Sequence, residues 1–171
     1  MAAVEIFLAA SGRPLPAPER VRRALRSARQ PGRIEVLARD PLLVLDVAHN
    51  EVSIQVLLRT VREELRYDAL HVLFACAADK DVAAMVRALA AHADRWTLTT
   101  FDFPRLADPA GIRDRILEVR PGADVVVTRD PGAAMDDARN RSGPRDCVLC
   151  CGSFYLAGEI FKRMPSCHKM E

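Results

Sequence analysis

The sequence predicts an α/β fold, a mostly parallel six-stranded sheet with one antiparallel edge strand and helices on both faces. Three observations carry that expectation. Short aliphatic runs alternate with amphipathic stretches along the chain, the first two runs are close enough to form a hairpin, and polar residues gather where the runs end.

Arg33-Ile34-Glu35-Val36-Leu37-Ala38 alternates at period two and reads as a strand. Arg39-Asp40-Pro41 joins it to Leu42-Leu43-Val44-Leu45, so these two runs form a hairpin with one antiparallel edge strand. Ile54, Leu57, Leu58, Val61 and Leu65 then mark a helix, with one apolar stripe at i, i+3, i+4 and i+7 spacing. Leu70 to Cys76 is an apolar strand, and Val82, Met85, Val86 and Leu89 mark the next helix. The alternation continues with Trp96–Thr99 as strand, Pro109–Glu118 as helix, Asp124–Val127 as strand and Pro131–Arg141 as helix. Cys147–Cys151 and Phe154–Met164 supply the last strand and helix. Proline at the start of two helices suits the first turn, where no N–H is needed. Strands that alternate with helices require right-handed crossovers and a parallel sheet covered on both faces, the Rossmann-like arrangement.

In such sheets ligands bind beyond the carboxyl ends of the strands. Asp46, His49 and Asn50 follow the second strand, Asp79-Lys80-Asp81 the third, Asp102 and Arg105 the fourth, and Gly152-Ser153 the last. Each cluster has a structural alternative. Asn50, Asp79, Asp81 and Ser153 could cap helices, and Lys80 could form a surface ion pair of small worth. His71 inside a strand and His92 at a helix end read as structural. The functional expectation rests on four clusters sharing one edge.

Composition narrows the function classes. At 171 residues, 50% hydrophobic and 28% charged, the chain has the make-up of one globular domain. The net charge is only +2, so the basic run Arg20, Arg22, Arg23, Arg26 and Arg29 reads as a solvated helix face and no nucleic-acid partner is expected. No run approaches the roughly 20 apolar residues of a membrane span, and no signal peptide is evident, so the expected location is the cytoplasm, with no membrane partner. An odd count of five cysteines also fits a reducing compartment. Cys147-x-x-Cys150 has zinc-ligand spacing, but it lies in a continuous apolar run and reads as buried strand; no metal site is expected in the chain. GxGxxG, GxxxxGK[ST] and GxSxG are all absent, so neither a dinucleotide fingerprint, a P-loop nor a nucleophile elbow is present.

Pro31-Gly32-Arg33-Ile34-Glu35, Asp46-Val47-Ala48-His49-Asn50, Ala78-Asp79-Lys80-Asp81, Pro104-Arg105 and Gly152-Ser153-Phe154-Tyr155-Leu156-Ala157-Gly158-Glu159 occur together and in order. In that combination the chain, over roughly residues 1–164, resembles the carboxy-terminal domain of folylpolyglutamate synthase and of its bifunctional form with dihydrofolate synthase activity, enzymes related to the Mur ligases. The resemblance implies an ATP-dependent acid–amino acid ligase that activates a folate carboxylate as an acyl phosphate and adds L-glutamate to it. It implies ATP contacts at Arg33 and Asp46 and a glutamate site at His49 and Ser153, with Asn50, Asp79, Lys80 and Arg105 as supporting residues of the cleft. No single catalytic residue is assigned.

The same resemblance implies a partner, an amino-terminal P-loop ATPase domain. That domain would hold the magnesium and lies outside these 171 residues. Residues 1–30 are expected to be the tail of that domain and a linker helix, 31–164 the ligase domain and 165–171 a flexible tail. A monomer is expected, and the chain alone is expected to be inactive. Three departures stand out. Val47 occupies a place usually held by glycine or a small residue, which predicts backbone strain there if φ is positive. Ala75 replaces a frequent glycine, and Cys151 a frequent threonine. Two other classes fit the sequence: a ligase acting on peptidoglycan precursors, and a non-catalytic docking domain derived from a ligase.

Overall fold

The computed structural model describes residues 6, 8, 10–12, 14, 16–28 and 30–163. Its chain divides into two compact units, Met1–Pro31 and Gly32–Glu171. The first carries helix α1 (Pro18–Ser27), which starts on a proline and leaves Arg20, Arg22 and Arg23 exposed. Part of the stretch 1–30, expected as a domain tail and linker helix, and all of the expected tail 165–171 lie outside the described residues.

The second unit is the sheet domain, with β1 (Glu35–Arg39), β2 (Leu42–Leu45), α2 (Glu51–Glu64), β3 (Leu70–Phe74), α3 (Val82–Ala90), β4 (Arg95–Thr99), α4 (Pro109–Val119), β5 (Asp124–Thr128), α5 (Pro131–Asn140), β6 (Cys147–Cys151) and α6 (Phe154–Arg163). The six strands lie in the order β1-β2-β6-β3-β4-β5. Only the β1–β2 edge pair is antiparallel, as the hairpin pattern predicts. β1 starts two residues later than its alternating pattern suggests, because Ile34 has φ 45° and cannot continue an extended strand.

Alternation along the strands feeds two cores. Val44, Val72, Phe74, Trp96, Leu98 and Leu149 face α2, α3 and α4, while Leu43, Leu45, Leu73, Val148 and Cys150 face α5 and α6. The cysteines follow the same rule: Cys147 and Cys151 enter the first core, Cys150 the second, and all three are buried free thiols. Burial pushes the Cys147 thiol up to about 12, so it behaves as a small apolar side chain. Among the described residues no group of three or more His, Cys, Asp and Glu could hold a metal ion, and no helix is long and apolar enough to cross a membrane.

The strand order positions the site. β3, β4 and β5 are laid down side by side, and the chain then returns across the other face of the sheet to insert β6 between β2 and β3. The crossovers therefore change face at the carboxyl ends of β2, β6 and β3, which is where an open α/β sheet leaves a crevice.

Candidate functional site

Three loops meet at that crevice, and hydrogen bonds sew them together. Asp46 ends β2 with only 5% of its surface exposed, and its carboxylate accepts from two backbone amides, Ile34 N–H at 2.9 Å and Ala48 N–H at 2.7 Å. Val47 N–H donates back to Gly32 O at 2.9 Å, and Gly152 N–H donates to Ala48 O at 2.8 Å. Gly152 has φ 110°, and a Cβ there would lie 2.5 Å from Ala75 O and 2.6 Å from the Phe74 ring, so no other residue fits this seam.

The loop after β2 turns from bracket to site at His49. Its Nδ1 lies 3.0 Å from Val47 O; since a carbonyl only accepts, Nδ1 carries the hydrogen and Nε2 of the neutral ring is an acceptor. Among the described residues Nε2 has no partner. Asn50 does what the capping alternative anticipates: its Oδ1 accepts from Ser53 N–H at 2.9 Å in a reciprocal capping box that starts α2. Asp81 caps α3, its Oδ1 accepting from Ala84 N–H at 2.9 Å.

His49, Asp79, Lys80, Arg105 and Ser153 line one cleft of about 190 Å³, closed along one side by Phe154 and Tyr155. The expected cleft residues thus converge, apart from Asn50 at its cap, Asp46 in its buried bracket and Arg33 at 5.6 Å from the Phe154 ring centroid. Ser153 Oγ accepts from Tyr155 N–H at 3.1 Å, starting α6, and its own hydrogen has no acceptor among the described residues. Lys80 Nζ stands 3.5 Å from Asp79 Oδ2 with both side chains well exposed, an ion pair that solvent screens and a ligand can displace. Desolvation raises the Asp79 carboxyl, but its own backbone amide and the Lys80 ammonium outweigh that and hold it below the usual range. The cleft is thus an ionised one with an excess of cationic donors.

Aromatic residues form the rim, and the polar pattern of the sequence does not announce them. Phe103 stacks on Tyr155 with centroids 4.0 Å apart, Arg105 lies over Phe103 at 5.6 Å, and the His49 and Phe154 rings are 5.1 Å apart. Phe154 and Tyr155 are each 52% exposed, which is unusual for aromatics without a ligand or partner. The signal in the sequence is their place one and two residues after Gly152-Ser153.

One expectation is corrected. Val47 is unstrained: it lies outside the positive-φ residues and packs, buried, with its Cγ1 at 2.8 Å from where a Cβ on Gly32 would be. The glycine requirement has moved to Gly32, with φ 69°, and the strain to Ile34. Cys151 is 1% exposed within the sheet core, as the buried-strand reading of the cysteine run expects. A larger groove of about 540 Å³ opens between α2 and α3, beside Arg59, Arg62 and His92. It belongs to the helix layer and lacks the convergence of loops from three strand ends.

The sequence model of one protein family, described as "Mur ligase, glutamate ligase domain", matches residues 32–154. The chain belongs to this family. It is 40% identical over 159 residues to the "Probable bifunctional folylpolyglutamate synthase/dihydropteroate synthase" of Haloferax volcanii, covering 92% of this chain and 18% of the relative. It is 39% identical over 127 residues to the UDP-N-acetylmuramoyl-L-alanyl-D-glutamate–2,6-diaminopimelate ligase of Alkalilimnicola ehrlichii, covering 71% of this chain and 25% of that protein. A crystal structure of the Yersinia pestis bifunctional folylpolyglutamate synthase/dihydrofolate synthase, complexed with AMPPNP and Mn ion, superposes with a TM-score of 0.73 at 26% identity, over 86% of this chain and 35% of that one. The chain thus spans about a third or less of each of these proteins.

Proposed function

We propose that this domain supplies the glutamate-binding half of an ATP-dependent folylpolyglutamate synthase or dihydrofolate synthase, which adds L-glutamate to a folate carboxylate through an acyl phosphate. The observation that carries the reading is the convergence of His49, Lys80, Arg105 and Ser153 on one small cleft at the point where the sheet changes direction. Two cations, one imidazole and one uncommitted hydroxyl suit a small dicarboxylate. Lys80 and Arg105 would neutralise its carboxylates and Ser153 O–H would donate to one of them.

In the reaction, a carboxylate oxygen of the folate attacks the terminal phosphorus of ATP and ADP leaves. The amine of glutamate then attacks the acyl carbon and phosphate leaves. The attacking amine must lose a proton first, and His49 Nε2 is the acceptor the cleft offers. Arg33, beside the exposed face of Phe154, is assigned to the nucleotide. Phosphate cradle and metal would come from a P-loop ATPase domain, with residues 1–30 read as its tail and linker. Buried free thiols suit a cytoplasmic enzyme.

The isolated chain is expected to catalyse no ATP-dependent glutamate addition. Supplying a P-loop ATPase domain, in cis or as a second chain, should restore it on a folate acceptor. The 39% identity to a diaminopimelate-adding relative favours a second reading, in which the acceptor is a UDP-muramyl peptide. Product formation on folate and UDP-muramyl acceptors in parallel decides between them, and failure on both sinks the ligase reading.

A further inference from the structure

Asp46 and Arg33 are tied to one site by the reading above, yet the geometry gives them different work. We propose that Asp46 is a positioning residue, which locks Ile34 in a left-handed backbone conformation and thereby sets Arg33 over the Phe154 ring.

Ile34 is β-branched and has φ 45°, the one non-glycine residue with positive φ among those described. Such a residue persists in that region only when its surroundings hold it there. Asp46 holds it directly, its Oδ2 accepting from Ile34 N–H at 2.9 Å while Oδ1 is fixed by Ala48 N–H at 2.7 Å, and Glu35 Oε2 accepts from Gly32 N–H at 2.7 Å across the same turn. Asp46 is 5% exposed, so water competes poorly for its carboxylate, and Val47 N–H to Gly32 O at 2.9 Å closes the same bracket from the other side. Arg33 lies between the two left-handed residues Gly32 (φ 69°) and Ile34, so its direction is fixed by them. Its guanidinium carbon stands 5.6 Å from the Phe154 ring centroid, and no hydrogen bond or ion pair among the described residues fixes its head. Orientation therefore comes from the backbone, and Asp46 is the side chain bonded to Ile34 itself.

A rescue experiment separates this from direct ligand contact. The chain is labelled for NMR, the upfield ring-current shift of the Arg33 side-chain protons over Phe154 is recorded, and MgATP is titrated. Asp46→Asn places an amide N–H2 against one of the two backbone N–H donors and should abolish the ring shift, with about a tenfold loss of ATP affinity. Ile34→Gly, which accepts positive φ freely, should restore both in the Asp46→Asn background. Ile34→Pro keeps Asp46 but fixes φ near −65° and removes the N–H, and should abolish the ring shift by itself. Asp46→Asn that lowers ATP affinity with the ring shift intact, or a double variant with no recovery of the ring shift, overturns the proposal. If Asp46→Asn does not fold, Ile34→Pro and the double variant decide. Should the unmutated chain bind no MgATP at millimolar concentration, the nucleotide reading of Arg33 fails, and the ring-shift series still judges Asp46.

Discussion

His49 lies in the loop after β2 and His71 within β3 of the same sheet, and their hydrogen bonds could hardly differ more. His71 is fully buried in β3, with Nε2 at 2.9 Å from Thr97 Oγ1 and Nδ1 at 3.2 Å from Ser142 Oγ, and Thr97 is further bonded to Asp137. Both of its nitrogens are spent on the fold. His49 spends one nitrogen on Val47 O and turns the other to a cleft that also holds Lys80, Arg105 and Ser153. The comparison separates polar groups that build the domain from polar groups it leaves available, and it divides Asp46 and Asn50 from their motif partner His49 in the same way.

Predictions follow from the seam outward, in order of size. Gly152→Ala should hurt both regions at once, because the new Cβ meets Ala75 O and the Phe74 ring; a loss of about 4 kcal/mol or more in urea denaturation is expected. His71→Ala removes the hydrogen bonds to Thr97 and Ser142 and leaves a cavity, for a loss of about 3 to 4 kcal/mol, whereas His49→Ala should leave the denaturation midpoint nearly unchanged. Equal losses for the two histidines would erase the distinction.

The pH dependence of stability sharpens it further. Burial, and then the Arg141 and Arg95 charges, lower the His71 pKa to about 4 from 6.5. The unfolded chain therefore takes up a proton that the folded one refuses. The His71 contribution to stability is complete above 6.5, falls by about 3 kcal/mol as pH drops from 6.5 to about 4, and changes no further below that. Denaturation curves of the unmutated chain and of His71→Gln at pH 7, 5 and 4 measure it, and parallel pH profiles would refute the assignment. The smallest structural effects belong to Lys80→Ala and Arg105→Ala, whose side chains line the open cleft. Their melting temperatures should match the parent while L-glutamate affinity falls roughly tenfold for each.

Most of this frame is legible in the sequence because it depends on local periodicity. All six strands and the helices from Glu51 onward follow from apolar spacing, with ends shifted by one to a few residues. The four polar clusters are legible as an edge because parallel strands carry their carboxyl ends together. What stays hidden depends on partners distant along the chain. Nothing local tells that β6 inserts between β2 and β3, that Asp46 is consumed by Ile34 and Ala48, or that Phe103 stacks on Tyr155. Ile34 is misread for the same reason: its alternating neighbours spell a strand, while a carboxylate twelve residues away bends it into a turn. Val47 shows the converse, since the volume that a smaller residue would leave is taken up against Gly32.

The central claim is that the cleft at the β2, β6 and β3 ends is an amino-acid dicarboxylate site. An NMR titration of the labelled chain with L-glutamate tests it most directly. Saturable shifts concentrated at His49, Lys80, Arg105 and Ser153, with His71 and the α2–α3 groove unmoved, are the predicted result. Shifts confined to Arg59, Arg62 and His92, or none at all into the millimolar range, would contradict it.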